Sequence, residues 1–151
     1  MPKFRQKKTL PYSANKIYDL VMDVEKYREF LPWCKQARIV EILSKENLQA
    51  DLLIDFKGFL EKYRSDVKHF KDENGVYVVE TRAINGPFQS LFSEWKIVNL
   101  GEEDSCEIEF FIEFSFKSFL LEKMIGVVFE NAAQKMVKSF EDRARELYVA
   151  P

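Results

Sequence analysis

His69 is the only histidine in the chain, so neither a multi-histidine metal site nor a paired-histidine mechanism can be built from this sequence. It follows Tyr63, Ser65 and Val67 at alternate positions of a strand-like run, where a structural imidazole is the plain reading. Carboxylates are plentiful, but Glu107, Glu109 and Glu113 alternate with Ile108, Phe110, Ile112 and Phe114. That spacing puts them on the polar side of a strand, not in an acid–base pair. Glu80 and Arg82 share one strand face, opposite Tyr77, Val79 and Thr81. If inward, they could form an internal pair, although burying an ion pair is costly. No GxxxxGK phosphate loop, GxGxxG turn, GxSxG elbow or HExxH helix is present. The residue types point to no reaction, and the chain is expected to be non-enzymatic, with no catalytic residue, metal or cofactor.

Cys34 and Cys106 are far apart and form no CxxC pair, which speaks against a disulfide framework or a zinc site and for a reducing compartment. No uncharged apolar run is long enough to cross a bilayer, and the opening MPKFRQKKTL has no apolar signal core. A cytoplasmic protein is expected. Lys and Arg number 23 against 25 Asp and Glu, so the near-neutral balance weighs against a general nucleic-acid binder, and DNA is not an expected partner. The basic start, Lys3, Arg5, Lys7 and Lys8, fits an edge strand guarded by lysines. The same cations could also meet phosphates of lipid or RNA.

At 151 residues, without linker or repeat, the chain is expected to form one domain over 1–151. Pro2 to Leu10 reads as a polar strand anchored by Phe4. Ser13 is placed to cap a helix carrying Ile17, Leu20 and Val21, and Asp23 to cap a second through Tyr27 and Phe30, ended by Pro32. From Lys35 to Phe116 the apolar period is two, in runs at Ala37–Ile42, Leu48–Phe56, Tyr63–Phe70, Val76–Ala83, Phe88–Val98 and Cys106–Phe116. Turn residues separate these runs at Asp72–Gly75, Asn85–Pro87 and Gly101–Ser105. Ser118 to Tyr148 is predicted to be one helix, apolar around most of its circumference from Phe119 to Ala133 and therefore without a wet side there. A helix of about 30 residues is about 45 Å long, enough to cross a sheet. The predicted class is α+β: a helix-grip arrangement in which a curved antiparallel sheet of about seven strands wraps a long C-terminal helix.

Aromatic residues dominate the composition, with 14 Phe, 6 Tyr and 2 Trp. Phe56, Phe59, Trp95, Phe110, Phe114 and Phe116 on strands, with Leu121, Met124, Ile125, Val128 and Phe129 on the helix, are the candidate lining of an apolar site. A close-packed core and a lined tunnel are both open on these residues alone. Gly126 lowers local helix stability by about 1 kcal/mol relative to Ala, so this half of the helix is a candidate gate, with Met124 and Phe129 at its mouth.

Tyr27, FLPWC at Phe30–Cys34, the NGPF turn followed by Leu91 and Trp95, the FSFKSFLL junction, and FEDRARELY at Phe140–Tyr148 occur in this order along the whole chain. In these features the chain resembles the coenzyme Q-binding proteins of the START-like polyketide cyclase/dehydrase superfamily. Ile97 departs from that pattern, where a second aromatic is common. The resemblance implies a helix-grip fold whose tunnel binds ubiquinone or a related polyisoprenoid lipid, as a carrier or chaperone supporting respiratory electron transport and quinone biosynthesis without catalysis. The same family includes bacterial ribosome association toxins that block joining of 70S subunits, so one alternative is ribosome binding through the Lys3–Lys8 strand with Lys117 and Lys123. The superfamily name suggests another, a cyclase or hydrolase acting on a small hydrophobic substrate through Arg82, Glu80 or Tyr77. Isoprenoid length, homodimer formation and peripheral contact at the inner face of a respiratory membrane stay open.

Overall fold

Alternating strands with one apolar face require cover for that face, and the computed structural model, which describes residues 2–56 and 58–148, supplies it with a single long helix. The elements are β1 (Lys3–Leu10), α1 (Ala14–Met22), a 3-10 helix (Val24–Glu29), β2 (Cys34–Ser44), β3 (Asn47–Phe56), β4 (Phe59–Lys71), β5 (Tyr77–Ala83), β6 (Phe88–Leu100), β7 (Glu102–Phe116) and α2 (Phe119–Leu147). Seven strands form one antiparallel sheet in the order β1-β7-β6-β5-β4-β3-β2. The first two strands thus occupy opposite edges, and α1 with the 3-10 helix carries the chain between them. Register shifts at Phe88/Ser90 and Asn99/Leu100 in β6, and three more along β2, give the sheet its bends.

Ser13 and Ser118 cap the two α-helices, their side chains accepting from the N–H groups of Lys16 and Leu121. The expected second helix after Asp23 is instead a 3-10 helix of six residues, and the Asp23 side chain makes no capping bond. Pro32 follows so closely that the tighter winding fills the segment. Tyr18 docks α1 on the sheet: its ring stacks on Tyr77 at 4.6 Å, and its hydroxyl lies 2.7 Å from Nδ1 of His69. Burial lowers the His69 pKa, which favours the neutral imidazole in this contact.

The edge strand β1 carries its cations against carboxylates: Arg5 reaches Glu109 at 3.0 Å, Lys3 reaches Glu113 at 4.0 Å, and Lys8 reaches Glu141 of α2 at 2.9 Å. Phe92 does not join the core. It packs on the outer face under the Arg82 guanidinium, 4.4 Å from the ring centroid, because the apolar alternation of β6 runs through Leu91, Ser93, Trp95 and Ile97.

The first half of α2 also differs from expectation: it has a wet side, with Phe119 at 80% and Val127 at 84% exposure. Only the stripe Ile125, Phe129, Ala133, Val137, Phe140 and Ala144 is buried, because a straight helix over a one-layer sheet turns one face away from it. The second half is clamped. Phe140 meets Tyr27, Phe30 and Trp95 edge-on at 5.4, 5.1 and 5.0 Å, and Arg143 reaches Glu29 at 2.7 Å.

Several connections meet at the other end of the helix. Lys117 N–H donates to the Pro87 carbonyl at 2.9 Å, tying the start of α2 to the β5–β6 turn. In that turn Gly86 has φ 93°, and a Cβ there would lie 2.5 Å from Tyr63 Cβ and 2.9 Å from the Lys62 carbonyl oxygen. Gly75 has φ 82° with open space around it. Gly75→Ala is therefore expected to cost about 1–2 kcal/mol from backbone strain alone, and Gly86→Ala distinctly more. Urea denaturation midpoints check this; equal shifts would refute the close approach at Gly86.

Candidate functional site

The concave face of the sheet has large rings at its ends and small residues at its centre. Each central strand interrupts bulky inward residues with one small hydroxyl residue: Ser65 between Tyr63 and Val67 on β4, Thr81 beside Val79 on β5, and Ser93 between Leu91 and Trp95 on β6. Ala50 of β3 stands opposite Ser65, and Thr81 stands opposite Ser93. Above them α2 presents Ala132 and Ala133. Small side chains on both layers leave the gap unfilled, and a cavity of about 210 Å³ results.

Its walls are aromatic. Phe114 meets Phe129 of α2 edge-on at 4.7 Å, Phe88 stacks on Phe116 at 4.9 Å, and Tyr63 packs against Phe88 at 5.1 Å. At the clamped end Trp95 lies 4.8 Å from Phe110 and closes against Phe140. None of the lining side chains among the described residues is charged. The polar groups on the wall include the three hydroxyls, the phenols of Tyr27 and Tyr63, and the Cys34 thiol. Tyr27 donates to the Val21 carbonyl, and Cys34 lies 3.6 Å from the Gln36 carbonyl oxygen. Burial pushes both phenols and the thiol up in pKa, so they stay neutral near neutral pH. The Ser65 hydroxyl is buried and has no hydrogen-bond partner among the described residues. This cavity can enclose an uncharged apolar group and can offer it hydrogen bonds at one patch.

Of the residues expected to line a site, Trp95, Phe110, Phe114, Phe116, Ile125 and Phe129 are brought together on the wall. Met124 is not: it is 44% exposed and lies one position from Ile125, which turns it about 100° away from the wall. Leu121 and Val128 are half-buried beside the helix stripe and do not line the cavity, and neither does Phe59, which is half-buried at the start of β4. The side chain of Phe56 lies outside the described residues. Sequence reasoning missed the large lining residues Tyr27, Trp33, Tyr63, Phe88 and Phe140 and the small ones Ser65, Thr81, Ser93, Ala132 and Ala133. The signal of the three hydroxyl residues was present as one small residue per inward run, legible only once the register aligned those positions.

Glu80 and Arg82 alternate with the cavity-lining Val79 and Thr81 and so face the outer side of the sheet. Tyr77 lies under α1 against Tyr18 and is absent from the wall. The acid–base constellation considered from sequence is therefore not assembled in the cavity.

Residues 10–141 match the family described as polyketide cyclase/dehydrase and lipid transport. The ribosome association toxin RatA of Rickettsia prowazekii is 42% identical over 147 residues, covering 97% of this chain and 99% of that protein. The mitochondrial coenzyme Q-binding protein COQ10 homolog B of Xenopus laevis is 28% identical over 148 residues, covering 96% of this chain and 59% of that protein. Among solved structures, a START superfamily protein from Mycobacterium smegmatis superposes with a TM-score of 0.80 at 21% identity, covering 97% of this chain and 99% of the other. The Zhui aromatase/cyclase from a Streptomyces species superposes at 0.82 with 15% identity, covering 99% and 97%. Both structures share the helix-grip fold seen here.

Leucine at two buried alanines of α2 tests the cavity directly. Ala133 lines it, whereas Ala144 is 0% exposed and lies off its wall. Ala133→Leu is expected to be neutral or stabilising because it grows into empty space, and Ala144→Leu to cost about 1–3 kcal/mol by overpacking. Thermal melts of the two variants decide the matter; a large loss in Ala133→Leu would contradict the open space.

Proposed function

The chain belongs to the polyketide cyclase/dehydrase and lipid transport family and has its START-like helix-grip fold, and from that premise we propose that it binds and shelters a polyisoprenoid quinone such as ubiquinone, without catalysis. The observation that carries this reading is the cavity: apolar and aromatic walls, no charged lining side chain, and a small hydroxyl patch. The likeness to COQ10 homolog B supports the same ligand class. At about 210 Å³ the cavity is smaller than the ~300–1,000 Å³ typical of sites for drug-sized ligands. It suits a ring-sized head, and a long isoprenoid tail must pass out beneath the first half of α2. That half exposes Phe119, Leu120, Met124 and Val127 and contains Gly126, whereas the second half is held by Phe140 and Arg143. On this reading the first half is the gate and the second half its fixed end. No helix among the described residues is long and apolar enough to cross a membrane, so exchange with a bilayer would take place at its surface.

Ribosome association is the second reading, favoured by the 42% identity to RatA over 97% of the chain. The basic strand considered for it has Lys3, Arg5 and Lys8 engaged with carboxylates, which leaves Lys7 on that strand and Lys117 and Lys123 at the start of α2 as exposed cations for such a contact.

Trp33 and Trp95 line the cavity, so decylubiquinone is expected to quench tryptophan fluorescence saturably, and Ala133→Leu to weaken binding at least about tenfold while the circular dichroism spectrum is retained. Absence of quenching, together with no quinone extractable from protein purified out of a membrane-containing lysate, would sink the quinone reading. For the second reading, overexpression is expected to shift sucrose-gradient profiles from 70S particles towards free subunits; an unchanged profile counts against it.

A further inference from the structure

Ser65, Thr81 and Ser93 are the hydroxyl-bearing serine and threonine residues of the cavity wall, one on each of three neighbouring strands. Thr81 faces Ser93 across the β5–β6 pair. Ser65 stands one inward position along β4 from Val67, which faces Thr81. The three therefore form one patch of small hydroxyl residues at the centre of a largely apolar and aromatic floor, with the Tyr63 phenol on the same strand as Ser65. Ser65 is 1% exposed, and its Oγ has no hydrogen-bond partner among the described residues. A buried hydroxyl left unpaired is destabilising, and alanine would fill this position equally well beside its cross-strand neighbour Ala50. Around the patch the lining carries no charged group that could compensate a buried carboxylate or phosphate.

We propose that Ser65, Thr81 and Ser93 are the polar anchor of the cavity, hydrogen-bonding an uncharged oxygen at the inner end of an amphiphilic ligand. A ring carbonyl or ether accepts from these hydroxyls, and a ligand hydroxyl can also donate to them. The patch thereby sets both orientation and selectivity: the oxygenated ring lies innermost, the hydrocarbon tail runs towards the first turns of α2, and ligands with an ionised inner end are rejected. This inference rests on the ligand-binding reading above and adds to it the chemical class and the direction of entry.

The test compares the unmodified chain, Ser65→Ala and the double variant S65A/T81V, each titrated with decylubiquinone, decylbenzene and decanoate delivered from cyclodextrin. The substitutions are near-isosteric, and melting curves confirm folding. The unmodified chain is expected to bind decylubiquinone more tightly than decylbenzene or decanoate. Ser65→Ala is expected to weaken decylubiquinone by about threefold to tenfold, the double variant further, and decylbenzene to be unaffected. Unchanged decylubiquinone affinity in both variants, or equal weakening for decylbenzene, overturns the anchor and leaves the cavity reading standing. Decanoate binding as tightly as decylubiquinone overturns the selectivity. Failure of the unmodified chain to bind either apolar probe overturns the ligand-binding reading and the anchor together.

Discussion

The edge-on packing of Phe140 against Tyr27, Phe30 and Trp95 is the interaction on which the rest of this structure depends. It joins the three parts of the molecule at one point: the 3-10 segment, the sheet and the long helix. Each such aromatic pair contributes about 0.5–1.5 kcal/mol beyond the area it buries. Arg143, bonded to Glu29 and lying 5.3 Å from the Phe30 ring centroid, reinforces the same junction. With the helix held there, its other half needs no dense packing. The sheet beneath can carry alanine, serine and threonine where an ordinary core would carry leucine.

That arrangement has a cost that the fold tolerates. Protein interiors are close-packed, and a void forfeits dispersion contacts on every wall. An unpaired hydroxyl at Ser65 adds to this. Both features oppose stability, and in the proposed function both would be answered by one event, the entry of a neutral, oxygen-bearing apolar group. The aromatic walls, stacked and edge-on at 4.7 to 5.1 Å around Phe88, Phe114, Phe116 and Phe129, hold the space open by bracing one another.

Outside the grip the chemistry is ordinary. Carboxylates and cations on the convex face pair across strands, as in Asp51 with Arg64 at 2.7 Å, where the guanidinium holds the Asp51 carboxyl below its usual range. Such exposed pairs contribute little to stability. Cys106 is buried with its thiol pushed up to about 11, and both cysteines are free. The proposed carrier function therefore draws on the interior and on the exposed apolar turns at the start of α2.

Much of this was legible in the residues. Alternation in Cys106–Phe116 and Leu48–Phe56 assigned strands and their inner faces correctly, because a period of two can bury only one set of side chains. Ser13 and Ser118 marked helix starts through their capping oxygens. What periodicity along one strand cannot contain is which residues of other strands stand beside it. Ser65, Thr81 and Ser93 look unremarkable in sequence and become one patch only through the β4–β5–β6 register. Likewise the apolar circumference of α2 could not reveal that Met124 and Val127 face outward while Ile125 and Phe129 face in, since rotation about the helix axis is set by the Phe140 clamp. The sequence by itself determined the strands with their inner faces and the starts of the two α-helices. The tertiary structure alone decided that the core is hollow, because a void is a property of residues from both layers failing to meet.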